Sequence, residues 1–273
     1  MDAEGLADLL QEIEAYYDAV PRAAARVEQI GPFTLFVKTA AGWPYYARPT
    51  LGATRFSAAD VARVRARQRE LALPETFEWV AETSPHLRVA AEAAGLAVAE
   101  HPLMTLQAAV PPRLSAPGVE VRLVGHRDDL TLLSAIPRVA FAAPGTATGP
   151  QGSAEARAVA AGLDPATAEF TRERLRSGRT VMAVALVAGR PVGIGSHQPV
   201  GAVSEVVGVG VLPAFRRRGI AAALTGLLAA DARERGVRTV FLSAGDDVIG
   251  RVYQRAGFRR VATACTAEPA EEA

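Results

Sequence analysis

The sequence predicts an α+β protein built on a mixed, mostly antiparallel sheet flanked by helices, and three observations predict it. Between positions 180 and 211 three strand signals follow in quick succession, TVMAVALV, PVGIGSHQ and VSEVVGVGV, with turn residues between them and no room for helices. One strand–helix–strand unit comes next, an Ala- and Leu-rich helix after Gly219 and then TVFLS at 239, and its crossover must be parallel and right-handed. The two halves of the chain also end alike: LPETFEWVAETSPHLRVAAEAAGL and VRTVFLSAGDDVIGRVYQRAGF both read strand, helix, Ala-Gly and an apolar residue.

At 273 residues the chain is long enough for two small domains. The proline-rich stretch AAVPPRLSAPG sets the boundary, giving domains at 1–112 and 113–273. In the first, the pattern predicts a helix from Leu6 to Gln29, strands at Thr34 to Val37 and Pro44 to Arg48, and a helix begun by Ser57 as an ordinary N-cap. That helix carries VARVRARQRE, read as a solvated basic face, and the aromatic segment GWPYYARP reads as core or as a wall of a cleft. In the second, the pattern predicts a strand at Val119 to Val124, a helix from Arg127 to Arg138, a Gly/Pro/Thr-rich loop from Ala142 to Ser153 and a helix from Ala166 to Ser177. The first two strands of the triplet meet at AGRP, a hairpin in which Gly189 supplies a positive φ. A helix ending at Ala256, with Gly257 as its C′ residue, leads into the last strand, FRRVATAC.

Composition excludes several roles. Lys plus Arg number 30 against 29 for Asp plus Glu, a net charge of +1, so no global field holds nucleic acid or an anionic membrane, and any anion site must be local. The first residues are acidic and amphipathic rather than a secretory signal, and the longest apolar run, VMAVALVAG, is too short to span a bilayer. The single cysteine, Cys265, suits a reducing compartment. The expectation is a cytoplasmic protein with no nucleic-acid or membrane partner; its oligomeric state is left open, a homodimer included. His86, His101 and His126 show no metal spacing, so no metal site is expected.

One stretch carries an electrostatic puzzle. LPAFRRRGIAAALT sets three arginines at the start of an apolar helix, where the unpaired N–H groups already disfavour cations by about 0.3 to 1 kcal/mol each. The puzzle resolves if a polyanion occupies the turn: Gly219 lets the backbone approach closely, successive N–H groups form an anion nest, and the arginines add charge. Other phosphate motifs fit poorly, because no Gly-Lys-Ser/Thr follows and Gly208-x-Gly210 lacks the third glycine of a dinucleotide fingerprint. Those two glycines read instead as a bulged or splayed strand with backbone groups left free for a ligand.

VGVGVLPAFRRRGIAAALT resembles the pyrophosphate-binding motif of the GNAT superfamily of acyl-CoA-dependent N-acetyltransferases, and VYQRAGF resembles the tyrosine-bearing helix that follows it. The resemblance covers roughly 119 to 265. It implies a GNAT fold preceded by a smaller, degenerate GNAT-like domain, in the manner of tandem GNAT proteins. It also implies acetyl-CoA, or another short acyl-CoA, as co-substrate and a small-molecule or peptide amine as acceptor. By the same resemblance Val209, Gly210 and Val211 would pair with pantetheine, Arg216, Arg217, Arg218, Gly219, Ile220 and Ala221 would hold the pyrophosphate, Tyr253 would act as acid and Glu205 as a water-mediated base. Asp246 stands where many relatives have asparagine; it is carried as a cofactor-binding candidate, although an anion fits poorly beside a polyanion. His197, at the end of a strand, reads as a satisfied polar residue, with base as its runner-up role. If the halves align through their Ala-Gly turns, Ala91 occupies the position of Tyr253. The reading from another class is an acyl-CoA-binding regulatory or scaffolding protein without turnover.

Overall fold

Asp2 accepts the Gly5 N–H and starts α1 (Ala3–Arg22), whose Leu10, Ile13 and Tyr17 fall on one buried stripe. The computed structural model describes residues 2–39, 42, 44–107, 114–125 and 127–270. By contacts the chain divides into two compact units, Met1–Leu103 with Arg260–Ala273, and Met104–Arg259. The boundary expected between 112 and 113 lies outside the described residues, as do Trp43 and His126. The last 14 residues, read from sequence with the second domain, group with the first unit.

In the first unit the helix expected to reach Gln29 stops at Arg22. Pro21 lies in its last turn, and Ala25–Ile30 forms β1 instead, pairing antiparallel with β2 (Phe33–Lys38) across a tight turn in which Gly31 has φ 56°. β3 is only Arg48–Pro49, shorter than expected. Then come α2 (Ala58–Glu70), β4 (Phe77–Val80), α3 (Leu87–Ala93) and β5 (Leu96–Leu106). The core gathers Phe33, Phe77, Trp79 and Leu87, with the rings of Phe33 and Phe77 edge to face at 5.4 Å.

The second unit runs β6 (Glu120–Leu123), α4 (Leu130–Phe141), α5 (Ser153–Ala161), α6 (Pro165–Arg176), β7 (Val181–Val187), β8 (Arg190–Val200), β9 (Val203–Val211), α7 (Ile220–Glu234), β10 (Thr239–Ser243) and α8 (Asp247–Arg255), and ends at the first two residues of β11 (Phe258–Pro269), the rest of which groups with the first unit. The helix α5 was not expected; it begins where Glu155 accepts the Gly152 N–H. The strands of this unit lie in the order β10-β9-β8-β7-β6. Every pair from β6 to β9 is antiparallel, and β9 and β10 are parallel. This is the mixed α+β sheet that the pattern predicts. The β7–β8 turn has Ala188 at φ 48° and Gly189 at φ 72°, the two positive values of a type I′ hairpin.

Strand β7 is buried on both faces because each face has its own helix. Ala183 and Ala185 pack with Leu224 and Leu228 of α7, whereas Met182, Val184 and Leu186 pack with Leu130, Leu133 and Ile136 of α4. The alternation follows from the period of two along a strand. It fixes α7, and with it the turn before α7, against the ends of β8 and β9.

Candidate active site

The site forms where β9 loses its neighbours. Towards β8, the register shifts by one between Ile194↔Gly210 and Ser196↔Val207, so Gly208 and Val209 together oppose Gly195. Gly208 has φ 63°, the conformation that a glycine bulge requires. Towards β10, pairing runs only from Thr239↔Val203 to Phe241↔Glu205. Past Glu205 the two parallel strands part, leaving the later peptide groups of β9 on that edge without a ladder. A cavity of about 820 Å³ opens there, lined by β9 from Glu205 to Val211, the start of α7, one face of α8, and Pro144, Gly145 and Thr146 of the loop after α4. Two exposed apolar side chains, Phe141 at 50% and Val248 at 49%, lie on its walls.

The turn at the head of α7 is open. Arg217 has φ 64° and Gly219 φ 78°, and no side chain caps the helix. The first N–H to bond back is that of Ala223, to Gly219 O at 3.0 Å, so the earlier ones have no partner inside the helix. The space beside the Gly219 α-carbon is empty; the left-handed φ alone calls for glycine there.

The three arginines part company. Arg216 turns away from α7: its Nε donates to Val211 O at 3.2 Å, its Nη1 to Ala147 O at 3.1 Å, and its Nη2 to Ala140 O at 2.8 Å and Ala143 O at 2.7 Å. Arg216 therefore meets the carbonyl end of α4, where a cation is favoured, and burial lowers its pKa. Arg217 lines the cavity, exposed, and makes no ion pair among the described residues. Arg218 lies 5.9 Å from the Phe215 ring and is not among the lining residues.

From the other wall, Tyr253 on α8 brings a ring that is 9% exposed to the same cavity. Its hydroxyl finds no hydrogen-bond partner among the described residues, and burial pushes the phenol up to about 12. Glu205 lines the cavity too. So do Arg251 and Arg255, one turn apart on α8, both exposed and in no ion pair among the described residues. Sequence reading passed over these two; their spacing of four on the helix of Tyr253 was the available signal.

Of the residues singled out from sequence, Glu205, Val209, Gly210, Val211, Arg216, Arg217, Gly219, Ile220, Ala221 and Tyr253 line this one cavity. Asp246 does not; its carboxylate accepts the Ile249 N–H at 2.6 Å and caps α8. His197 is the satisfied polar residue that the sequence favours rather than the runner-up base: it is fully buried, does not line the cavity, and has Nδ1 2.9 Å from Ser204 Oγ and Nε2 2.8 Å from Asp231 Oδ2. Burial holds its pKa below the ordinary value against the pull of Asp231. Nε2–H therefore donates to the carboxylate while Nδ1 accepts from Ser204. No group of three or more potential metal ligands is found among the described residues, nor any helix long and apolar enough to cross a membrane.

An open nest, three unpaired cations on the walls and a strand with free peptide groups fit an extended polyanion that carries an amide-bearing arm. Comparison with known proteins agrees with this geometry. Residues 154–258, all in the second unit, match the model of the Acetyltransferase (GNAT) family. Over 74 residues the chain is 46% identical to the mycothiol acetyltransferase of Cellulomonas flavigena, a match covering 25% of this chain and 21% of that protein's length. The fold superposes on a GCN5-related N-acetyltransferase from Kribbella flavida with a TM-score of 0.70 over 96% of each chain, at 21% identity. It also superposes on a tandem GNAT protein from the clavulanic acid biosynthesis pathway with a TM-score of 0.51 over 88% of this chain and 79% of that one, at 16% identity. Through residues 154–258 the chain is similar to the GNAT acetyltransferases, and its fold is shared with a tandem GNAT protein.

Proposed function

We propose that the chain is an acyl-CoA-dependent N-acyltransferase that moves an acetyl group to a primary amine of a small molecule or peptide, with its chemistry in the second unit. One observation carries the reading: the open N-terminus of α7, the unladdered edge of β9, Glu205 and the unpartnered Tyr253 hydroxyl all face one cavity. A diphosphate suits the nest from Arg217 to Ala221. The peptide groups of Val209 to Val211 suit an extended amide-bearing arm. Arg251 and Arg255 add charge along the α8 wall.

Acyl transfer forms a C–N bond and breaks a C–S bond, so one proton must leave the amine and one must reach the departing sulfur. In this reading Glu205 takes the first through water. Tyr253 in the same reading serves the second: at about 12 its phenol stays protonated, a permanent donor towards a thiolate whose conjugate acid lies at ~8.5 in water. Full transfer across that gap is uphill, so Tyr253 works first by hydrogen bonding to the departing sulfur. The similarity to a mycothiol acetyltransferase bears on a quarter of the chain and supports the transfer chemistry rather than that acceptor.

Calorimetric titration with acetyl-CoA, CoA and 3′-dephospho-CoA tests the reading. Saturable micromolar binding is expected, followed by turnover in a screen of amines. Absence of binding by all three overturns the proposal, while binding without turnover across the screen favours a non-catalytic acyl-CoA sensor.

A further inference from the structure

We propose that Arg216 is a positioning residue rather than a phosphate ligand: its guanidinium ties the turn before α7 to the loop that walls the same cavity. A polyanion seated on the turn thereby steadies that wall. The inference rests on the proposed function only for the identity of the polyanion.

A guanidinium has five N–H donors, and four of them are spent on the carbonyls of Ala140, Ala143, Ala147 and Val211. The one that remains cannot grip a phosphate in the bidentate manner that makes arginine a strong anion ligand. The four acceptors are also informative by position. Val211 ends β9, Ala140 lies in the last turn of α4, and Ala143 and Ala147 bracket Pro144, Gly145 and Thr146, the loop residues on the cavity wall. Two further bonds tie the same pieces together, Gly149 N–H to Pro213 O at 3.3 Å and Ala214 N–H to Gln151 O at 3.0 Å. Arg217, the very next residue, points its unpaired charge at the cavity. The motif thus divides its labour: Arg216 holds the wall, and Arg217 with the backbone meets the anion.

Hydrogen exchange of residues 140–151, read with and without CoA, tests this on the wild type, Arg216→Ala, Arg216→Lys and Arg217→Ala. The ligand-free Arg216→Ala protein should exchange this segment at least tenfold faster, and Arg216→Lys should follow it, because lysine keeps the charge and lacks the fork. Arg217→Ala should leave the segment as it is in the wild type. On adding CoA, the wild-type segment should gain protection, whereas Arg216→Lys should bind CoA within about threefold of wild type without that gain. Unchanged exchange in both Arg216 variants overturns the proposal. So does a lysine variant that restores CoA affinity lost in the alanine variant while the segment never moves, the signature of a direct phosphate contact. If CoA binds none of these proteins the proposed function fails, and the ligand-free comparison still decides the clamp.

Discussion

Two helix N-termini, one in each unit, stand at equivalent points of the same strand–turn–helix–strand path, and they are finished in opposite ways. In the first unit the strand before the turn meets the next one in parallel through the Ala47↔Phe77 bridge, and α2 begins at Ser57. Ser57 Oγ accepts the Asp60 N–H and Asp60 accepts the Ser57 N–H, a closed capping box. The arginines that follow are matched: Arg63 with Asp60, Arg65 and Arg69 with Glu75, Arg67 with Glu28 and Glu70. In the second unit α7 has no cap, and Arg217, Arg251 and Arg255 line a cavity whose one lining carboxylate is Glu205, none of the three in an ion pair among the described residues. The first unit has a cavity near its turn as well, about 620 Å³, yet Glu14 and Glu82 line it and no arginine or lysine does. The difference teaches that topology provides the place and unsatisfied charge provides the function.

The sharpest way to break the comparison is at the helix after each turn. Counting back from Gly95 and Gly257, both at positive φ, Tyr253 stands where the first unit has Ala91, buried in its core. Tyr253→Phe should lower turnover by about 10²- to 10⁴-fold and leave acyl-CoA affinity within twofold, because the ring stays and only the donor goes. Rates equal to wild type in a coupled thiol-release assay would remove Tyr253 from the chemistry.

Giving α7 the cap of α2 comes next. Gly219→Ser places a hydroxyl over the free N–H groups and an L side chain at φ 78°, a conformation that costs about 1 to 2 kcal/mol. Calorimetry should show affinity for CoA down about 100-fold, near 2.7 kcal/mol. The melting temperature should move little, since the new cap offsets part of the strain. Affinity within threefold of wild type would mean that the nest is not where the anion sits. Arg217→Ala should cost about tenfold and flatten the salt dependence of binding, whereas Arg67→Ala, whose charge is already matched, should cost nothing.

Which parts of this were legible from sequence follows from the range of the forces involved. The three strands from 181 to 211, the Ala188-Gly189 hairpin, the bulge at Gly208, the turn at Gly219 and the C′ glycine at 257 all rest on local backbone chemistry, and each stands where the pattern put it. β1 was read as helix because the alternation of ARVEQI is short and only its pairing with Phe33–Lys38 decides the matter. Arg216 carried the right motif, but three of its four acceptors lie some 70 residues upstream, where no spacing rule reaches. His197 was legible as a satisfied polar residue, but strand position does not reveal that its partner is Asp231 on the helix after β9. The C-terminal half of β11 pairs with β4 from Ala264↔Val80 to Ala267↔Phe77, a long-range match invisible to any local reading.

The cap of α2 offers a smaller test of the same contrast. Ser57→Ala should destabilise the protein by about 1 kcal/mol in a urea titration and leave CoA affinity untouched, since that N-terminus serves only its own helix. A loss of affinity of more than threefold would tie the first unit's turn to the ligand.

The smallest effect expected concerns how α7 is held. Ser204, His197 and Asp231 form a buried chain from β9 through β8 to α7, extended by Arg235. Burial keeps His197 neutral. Asp231 is pushed up by burial, but its bonds from Arg235 and His197 outweigh that and hold it ionised below the usual carboxylate range. Because the folded His197 has the lower pKa, the unfolded chain binds the extra proton first, and stability falls as pH drops below ~6.5 towards the folded value. Between pH 6.5 and 5.5 this amounts to at most about 1 kcal/mol, a window in which Asp231 does not titrate. His197→Gln, which keeps a donor for Asp231 and an acceptor for Ser204, should lower stability at pH 8 and flatten the slope below 6.5. Equal slopes for the two proteins in chemical denaturation at pH 5.5, 6.5 and 8 would show that the chain is held without regard to the charge on His197, leaving packing of Leu224 and Leu228 as the anchor of the helix that carries the open turn.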